Sequence, residues 1–266
     1  MCCFSRPIES VSRTRIFARR LPDHQMAVVY SMQIVAAEDL AMVLPLPVQD
    51  PDSPGALTFV DLSGYKDFFK DMERGFPKPV ARSMTKGMLM SYSADLSATL
   101  PVEQVGAFEA SFVPHASDFG RLDERFRLPP DAVAKLPGAK DMSFAVFRLA
   151  AGEADIHPMA FTYRAARHEA VLFPTLHVHD GEVHPTADFD HALYCQSPLG
   201  DDYPPRPWER SAWPADRFMT TVSQASKAER GDSHGISDKT CGLVDPHTFV
   251  HKRSLVGLLP NIDVAV

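Results

Sequence analysis

Residues 14–48 read TRIFARRLPDHQMAVVYSMQIVAAEDLAMVLPLPV, and this stretch decides the fold class. Three runs within it, Thr14–Leu21, Met26–Ala36 and Leu40–Val48, are rich in apolar, β-branched and aromatic residues. Pro22-Asp23 and Glu38-Asp39 part them. Short apolar runs bounded by turn residues predict strands joined by tight reversals. The same signature recurs at Ala56–Leu62, Gly106–Val113, Met142–Ala150, Met159–Arg164, Ala170–His179, His191–Gln196 and Thr248–Leu258. Helical patterns are fewer: Tyr65–Arg74 with Phe68, Phe69 and Met72 on one face, then Ser117–Phe126, Pro130–Leu136 and Asp216–Ala228. The expected class is α+β, mostly antiparallel β-sheet with a few short helices.

Composition supports a folded, proline-rich β protein. The 266 residues are read as a single domain, 1–266, long enough to bury a core without staples. Prolines (23) outnumber glycines (14), which favours short extended segments over long helices. A net charge of -7 excludes a global basic field, so no nucleic-acid partner is expected. Four cysteines are too few for a disulfide scaffold, and the Arg-rich start lacks an apolar core for a secretory signal; the expected compartment is cytoplasmic. The longest mostly apolar stretch runs only from Met26 to Ala37, too short to span a bilayer, and no membrane association is expected.

Two stretches echo one another. His24-Gln25-Met26-Ala27 opens a strand that Met42-Val43-Leu44-Pro45-Leu46-Pro47 follows; His157-Pro158-Met159-Ala160 opens one that Val171-Leu172-Phe173-Pro174-Thr175-Leu176 follows. This suggests two duplicated β-rich halves, about 12–130 and 140–266, packed as one unit. Chance recurrence of apolar-Pro-apolar strands is the alternative.

Histidines concentrate in the second half. Six of eleven (His157, His168, His177, His179, His184 and His191) lie within 35 residues. Side chains two apart on a strand share a face, so His177 and His179 present paired imidazoles to one metal ion. Asp180-Gly181 turns the chain, and the return brings Glu182, His184 or His191 toward the pair. The expected ligands are His177, His179 and His184, with Cys2 or Cys3 as soft donors; His157, Asp180 and His191 stand behind them. The expected cofactor is one transition-metal ion: copper, iron or zinc. Glu182 and Tyr194, with Cys2, are the candidate catalytic residues. Solvated surface histidines are the competing reading.

The other unusual feature is the opening, Met1-Cys2-Cys3-Phe4-Ser5. Removal of Met1 would leave Cys2 with an α-amine and a thiol on one residue, base and nucleophile together. With Phe17-Ala18-Arg19-Arg20-Leu21-Pro22-Asp23, the opening resembles the choloylglycine-hydrolase branch of the N-terminal-nucleophile hydrolases. That resemblance covers under a tenth of the chain, with an inserted proline. It implies Cys2 as nucleophile and Arg19 and Asp23 lining the pocket. The strand up to His179 also looks like the first metal strand of an amidohydrolase barrel, but only 87 residues follow it, too few for eight βα units.

Three functions remain open from sequence. One is a metal-dependent oxidoreductase acting on a small molecule or peptide. The second is a Cys2 amide hydrolase, and the third a non-catalytic metal-binding protein. Oligomeric state is not legible.

Overall fold

The structure, a computed structural model, describes residues 2–6, 8–77, 102–106, 108–128, 133, 138–155, 158–167, 169–178, 182–196, 207–219 and 235–266. Two sheets make the frame. Sheet A takes its strands in the order β12 (His177–Val178), β1 (Cys2–Phe4), β4 (Leu40–Leu46), β8 (Ser143–Leu149), β7 (Phe108–Val113) and β6 (Val102–Val105). Sheet B runs β14 (Glu209–Pro214), β15 (Phe249–Pro260), β13 (Thr186–Gln196), β2 (Ser10–Arg20), β3 (Gln25–Ala36), β10 (Met159–Arg164) and β5 (Leu57–Val60), with β9 (Gly152–Asp155) pairing the far end of β3. A small third sheet joins β11 (Leu172–Phe173) to β16 (Val264–Ala265).

The expected β-rich class holds, and most pairings are antiparallel. Two are parallel: β1 with β12 and β2 with β13. Alternation along the strands builds the layers, because residues two apart share a face. Phe4, Met42, Leu44 and Phe147 of sheet A meet Ile16, Val28, Tyr30, Phe161 and Leu193 of sheet B in the central core. The other face of sheet A, with Cys3, Val43 and Phe144, is covered by Phe119, Leu122 and Phe126 from 3-10 turns. The other face of sheet B, with Phe17, Val29 and Tyr194, is covered by α1 (Phe68–Glu73) and by Phe218, Met219, Leu243 and Val244.

Local differences from the sequence expectation have local causes. Ala170–His179 is not one strand: Pro174 cannot donate to a ladder, and Thr175 instead accepts from Val264 N–H and donates to Ile262 O, so two two-residue strands form. Strand β13 begins at Thr186, five residues before the expected start at His191. Ser117–Phe126 folds as 3-10 turns at Ala116–Arg121 and Glu124–Phe126. Of Pro130–Leu136 only Val133 is described, and Asp216–Ala228 is described only to residue 219. The duplication is not confirmed. Strands β3 and β10 do pair, yet β4 is inside sheet A while its echo supplies only β11 of the third sheet.

Candidate functional site

The described histidines that come together are His177 and His191. His177 sits on β12 of sheet A and His191 on β13 of sheet B, so their contact spans the seam where the two sheets meet. Their Nε2 atoms are 3.0 Å apart, and both residues are buried, at 9% and 5% exposure. Which ring donates depends on the tautomer. Phe189, two residues before His191 on the same face of β13, stacks on His177 with ring centroids 4.5 Å apart.

The backbone around His177 is fixed by the segment after β15. Asn261 accepts from His177 N–H at 2.7 Å and donates to both His177 O and His184 O. Asp263 accepts from Leu176 N–H. On β2, Thr14 lies in register with His191 and is buried. Beside it the β2–β3 register shifts between Ser12 and Arg15, with Arg13 at φ 51° and its N–H donating to Asp190 Oδ2. A bulge of this kind bends the strand and opens its flank. The resulting cleft is floored by His177, Phe189 and His191 and walled by Thr14, Val11, Asp188 and Asp190. It holds about 100 Å³, below the roughly 300–1,000 Å³ usual for small-molecule sites.

The remaining sequence candidates scatter. Glu182 and His184 are exposed. Cys3 is buried in the outer layer of sheet A among Val43, Phe144 and Val178, not toward the seam. Cys2 occupies the register position opposite His177 in the parallel β1–β12 pair. Tyr194 lies on the outer face of sheet B, where it donates to Glu73 Oε2 at 2.5 Å; burial, then Glu73, pushes its hydroxyl well above the usual range. Lys252, 7% exposed, closes that cluster with Nζ 2.5 and 2.6 Å from the two Glu73 oxygens. Arg19 pairs with Asp245 at 3.4 Å, its basicity lowered by burial against that carboxylate's opposing pull. Asp23 is exposed in a turn at φ 56°. His157, His168, His179 and Asp180 lie outside the described residues.

The metal-centre expectation is corrected here. Among the described residues, no group of three or more His, Cys, Asp or Glu side chains is arranged to hold a metal ion. The Nε2 atoms of His177 and His191 are at hydrogen-bonding distance. The expectation of a copper, iron or zinc protein is corrected on that finding. Sequence reasoning missed Asn261 and Thr14. The alternation Phe189/His191 inward, Asp188/Asp190 outward along β13 was the available signal for His191.

No family model and no curated protein matches the chain. Solved structures of baculovirus P35 resemble it. P35 itself is 14% identical at a TM-score of 0.44, with 96% of each chain covered. A mutated P35 after caspase cleavage is 14% identical at 0.43, with 98% of each covered. P35 in complex with caspase-8 is 12% identical at 0.44, with 96% of this chain and 95% of that one covered. No helix among the described residues is long and apolar enough to cross a membrane.

Proposed function

We propose that the chain works by docking a partner protein on the bare half of sheet B. The observation that carries this reading is the pair Val256 and Leu258, 71% and 73% exposed on one face of β15. Their cross-strand neighbours are Asp190 and Asp188, so the face is apolar with a carboxylate rim. An exposed apolar face rimmed by charge is the usual anatomy of a protein contact. The occupant that fits is a protein surface with apolar side chains flanked by Lys or Arg, whose charge complements the two aspartates and the chain's net -7.

The test places a photo-crosslinking amino acid at Leu258 and, as control, at Lys70 on the exposed side of α1. Expected is a protein captured from position 258 alone that, once purified, binds the intact chain. Its binding should fall at least tenfold with Leu258→Asp or Val256→Asp. Capture of nothing, of another copy of this chain, or of a protein indifferent to both substitutions overturns the reading.

A second reading, a Cys2 nucleophile acting on an amide, is favoured by the register of β1 with β12, which sets Cys2 opposite the buried His177. Were the His177 imidazole to act on that thiol, it would raise the thiolate fraction. In a Cys241→Ser background, Cys2 should be alkylated by iodoacetamide at least tenfold faster than free cysteine at pH 6.5, and His177→Ala should remove the excess. An ordinary rate retires this reading.

A further inference from the structure

We infer that the partner contributes an extended strand, added to sheet B along the open edge of β15 at residues 254–258. This rests on the docking face proposed above and specifies what lies on it.

The edge is open because β14 is short. Strand β14 pairs with β15 at Phe249, His251 and Lys252. Among the described residues no strand lies on that side beyond Lys252, whereas β13 pairs with β15 through to Pro260. Val250 fixes the direction of the backbone groups: its N–H donates to Ser211 Oγ of β14 at 3.1 Å, away from β13. Residues two apart on a strand aim their N–H and C=O the same way, so those of Ser254, Val256 and Leu258 face the open side. The ladder with β13 keeps one register through Gly257, at φ 84°, and the alternation is not interrupted. Pro260 ends the edge, since it has no N–H and its carbonyl accepts from Ile262 N–H.

Two demands therefore meet on the same residues. Val256 and Leu258 are 71% and 73% exposed, and both also present backbone donors and acceptors to the open side. A helix or a side-chain surface laid on this face would cover the apolar groups and leave the backbone to water; a strand satisfies both. Nothing along the edge repels one. Residues 254–260 carry no charge, where edge strands are usually guarded by lysine, a central proline or a bulge.

The register also gives the chemistry of the segment. Side chains directly opposed across an antiparallel pair share a face, so the incoming residues opposite Val256 and Leu258 are apolar. Asp190 and Asp188 are the neighbours of these two on β13. At about 4.8 Å per strand they stand about 10 Å from the new strand, within reach of a Lys or Arg draped over Val256 or Leu258. The recognised segment is short and extended, with apolar side chains on one face and a basic residue at each flank.

The test uses the intact chain, amide hydrogen exchange and a synthetic probe, the acetylated and amidated peptide Lys-Thr-Val-Thr-Val-Thr-Lys. In the free chain, the Ser254, Val256 and Leu258 amides should be at least tenfold less protected than those of Leu255, Gly257 and Leu259. Equal protection means the edge is already covered and overturns the inference. At about 1 mM, the concentration of weak recognition, the peptide should slow the three edge amides at least fivefold. N-methylation of its two valines, whose N–H groups would face β15, should abolish the effect, whereas N-methylation of the central threonine, whose N–H points away, should not. No slowing, or the same result from both methylated peptides, overturns the inference. Ser254→Pro removes one edge donor while leaving Val256, Leu258 and the β13 ladder in place, and should weaken the peptide at least tenfold; where that variant does not fold, the methylated peptides decide. A crosslinked partner that needs Leu258 but ignores Ser254→Pro keeps the docking face and overturns the strand. Peptide protection with no partner captured overturns the docking reading and leaves an edge that accepts strands.

Discussion

The outer face of sheet B has two halves built from the same strands and treated in opposite ways. Over Phe17, Val29, Tyr194 and Val250 lie α1 and the 215–219 and 243–244 segments, and these residues are at most 1% exposed. Farther along β13 and β15, nothing among the described residues buries Val256 or Leu258. The sequence spends aromatic rings on one half: Phe68 meets Phe17, Tyr65 and Phe69 at centroid distances of 5.0–5.9 Å. On the other half it alternates aliphatic side chains with carboxylates. The first half is built for stability; the second costs apolar exposure that stability alone does not require.

The largest expected effect tests the covered half. Phe68→Ala should lower the unfolding free energy by about 3–5 kcal/mol, because the cavity would sit among rings that cannot all relax. Urea denaturation with an unchanged m-value would show it, and a loss under 1 kcal/mol would mean that α1 is only loosely applied.

Next is the ion cluster that pins α1 to the sheet. Glu73→Gln leaves the buried ammonium of Lys252 facing a neutral amide whose single acceptor oxygen must serve both Lys252 and Tyr194, at an expected cost of about 1–3 kcal/mol. Salt should recover little of it, since Lys252 is almost wholly enclosed. A loss that 0.5 M NaCl erases would reclassify the cluster as a surface contact.

Alkaline pH sharpens the contrast further. Tyr65 and Tyr194 in the covered half and Tyr163 in the central core all have hydroxyls pushed far up, chiefly by burial and then by Asp71, Glu73 and Asp263 respectively. The unfolded chain ionises its tyrosines near pH 10 while these three resist, so their contribution is intact below pH 10 and is lost as pH rises above it. Tyrosinate absorbance should therefore lag behind free tyrosine and rise together with loss of far-UV signal. Ordinary titration of all six without unfolding would contradict this burial.

The smallest stability effect belongs to the bare half. Leu258→Asp should change the unfolding free energy by no more than about 0.5 kcal/mol, as exposed positions usually do. A loss of 2 kcal/mol or more would show that this face is packed.

Much of the frame was legible because turn residues punctuate it. Met159–Arg164 is observed with the expected boundaries, flanked by Pro158 and a return toward Ala165. Legibility failed where side chains compete with the backbone ladder. Thr175 and Asn261 supply bonds that no periodicity announces, and the polar residues Thr186, Asp188 and Asp190 disguise the first half of β13 as a loop. The site was legible in part. The turn after His179 was read as returning the chain, with His191 among the residues brought toward His177, and these two rings meet, 14 positions apart and on opposite sheets; His179 lies outside the described residues. Pairing across two sheets leaves no spacing rule to read.

Strand β2 lies between β3, its immediate successor, and β13, whose Asp190 binds Arg13 at a separation of 177 positions. During synthesis the β2–β3 hairpin therefore emerges long before its second neighbour exists. For that interval it carries an open, β-prone flank that can recruit a stranger. Long-range parallel closure of this kind slows folding, so chaperone dependence and recombinant yield should respond to the rate at which the ribosome delivers the second half.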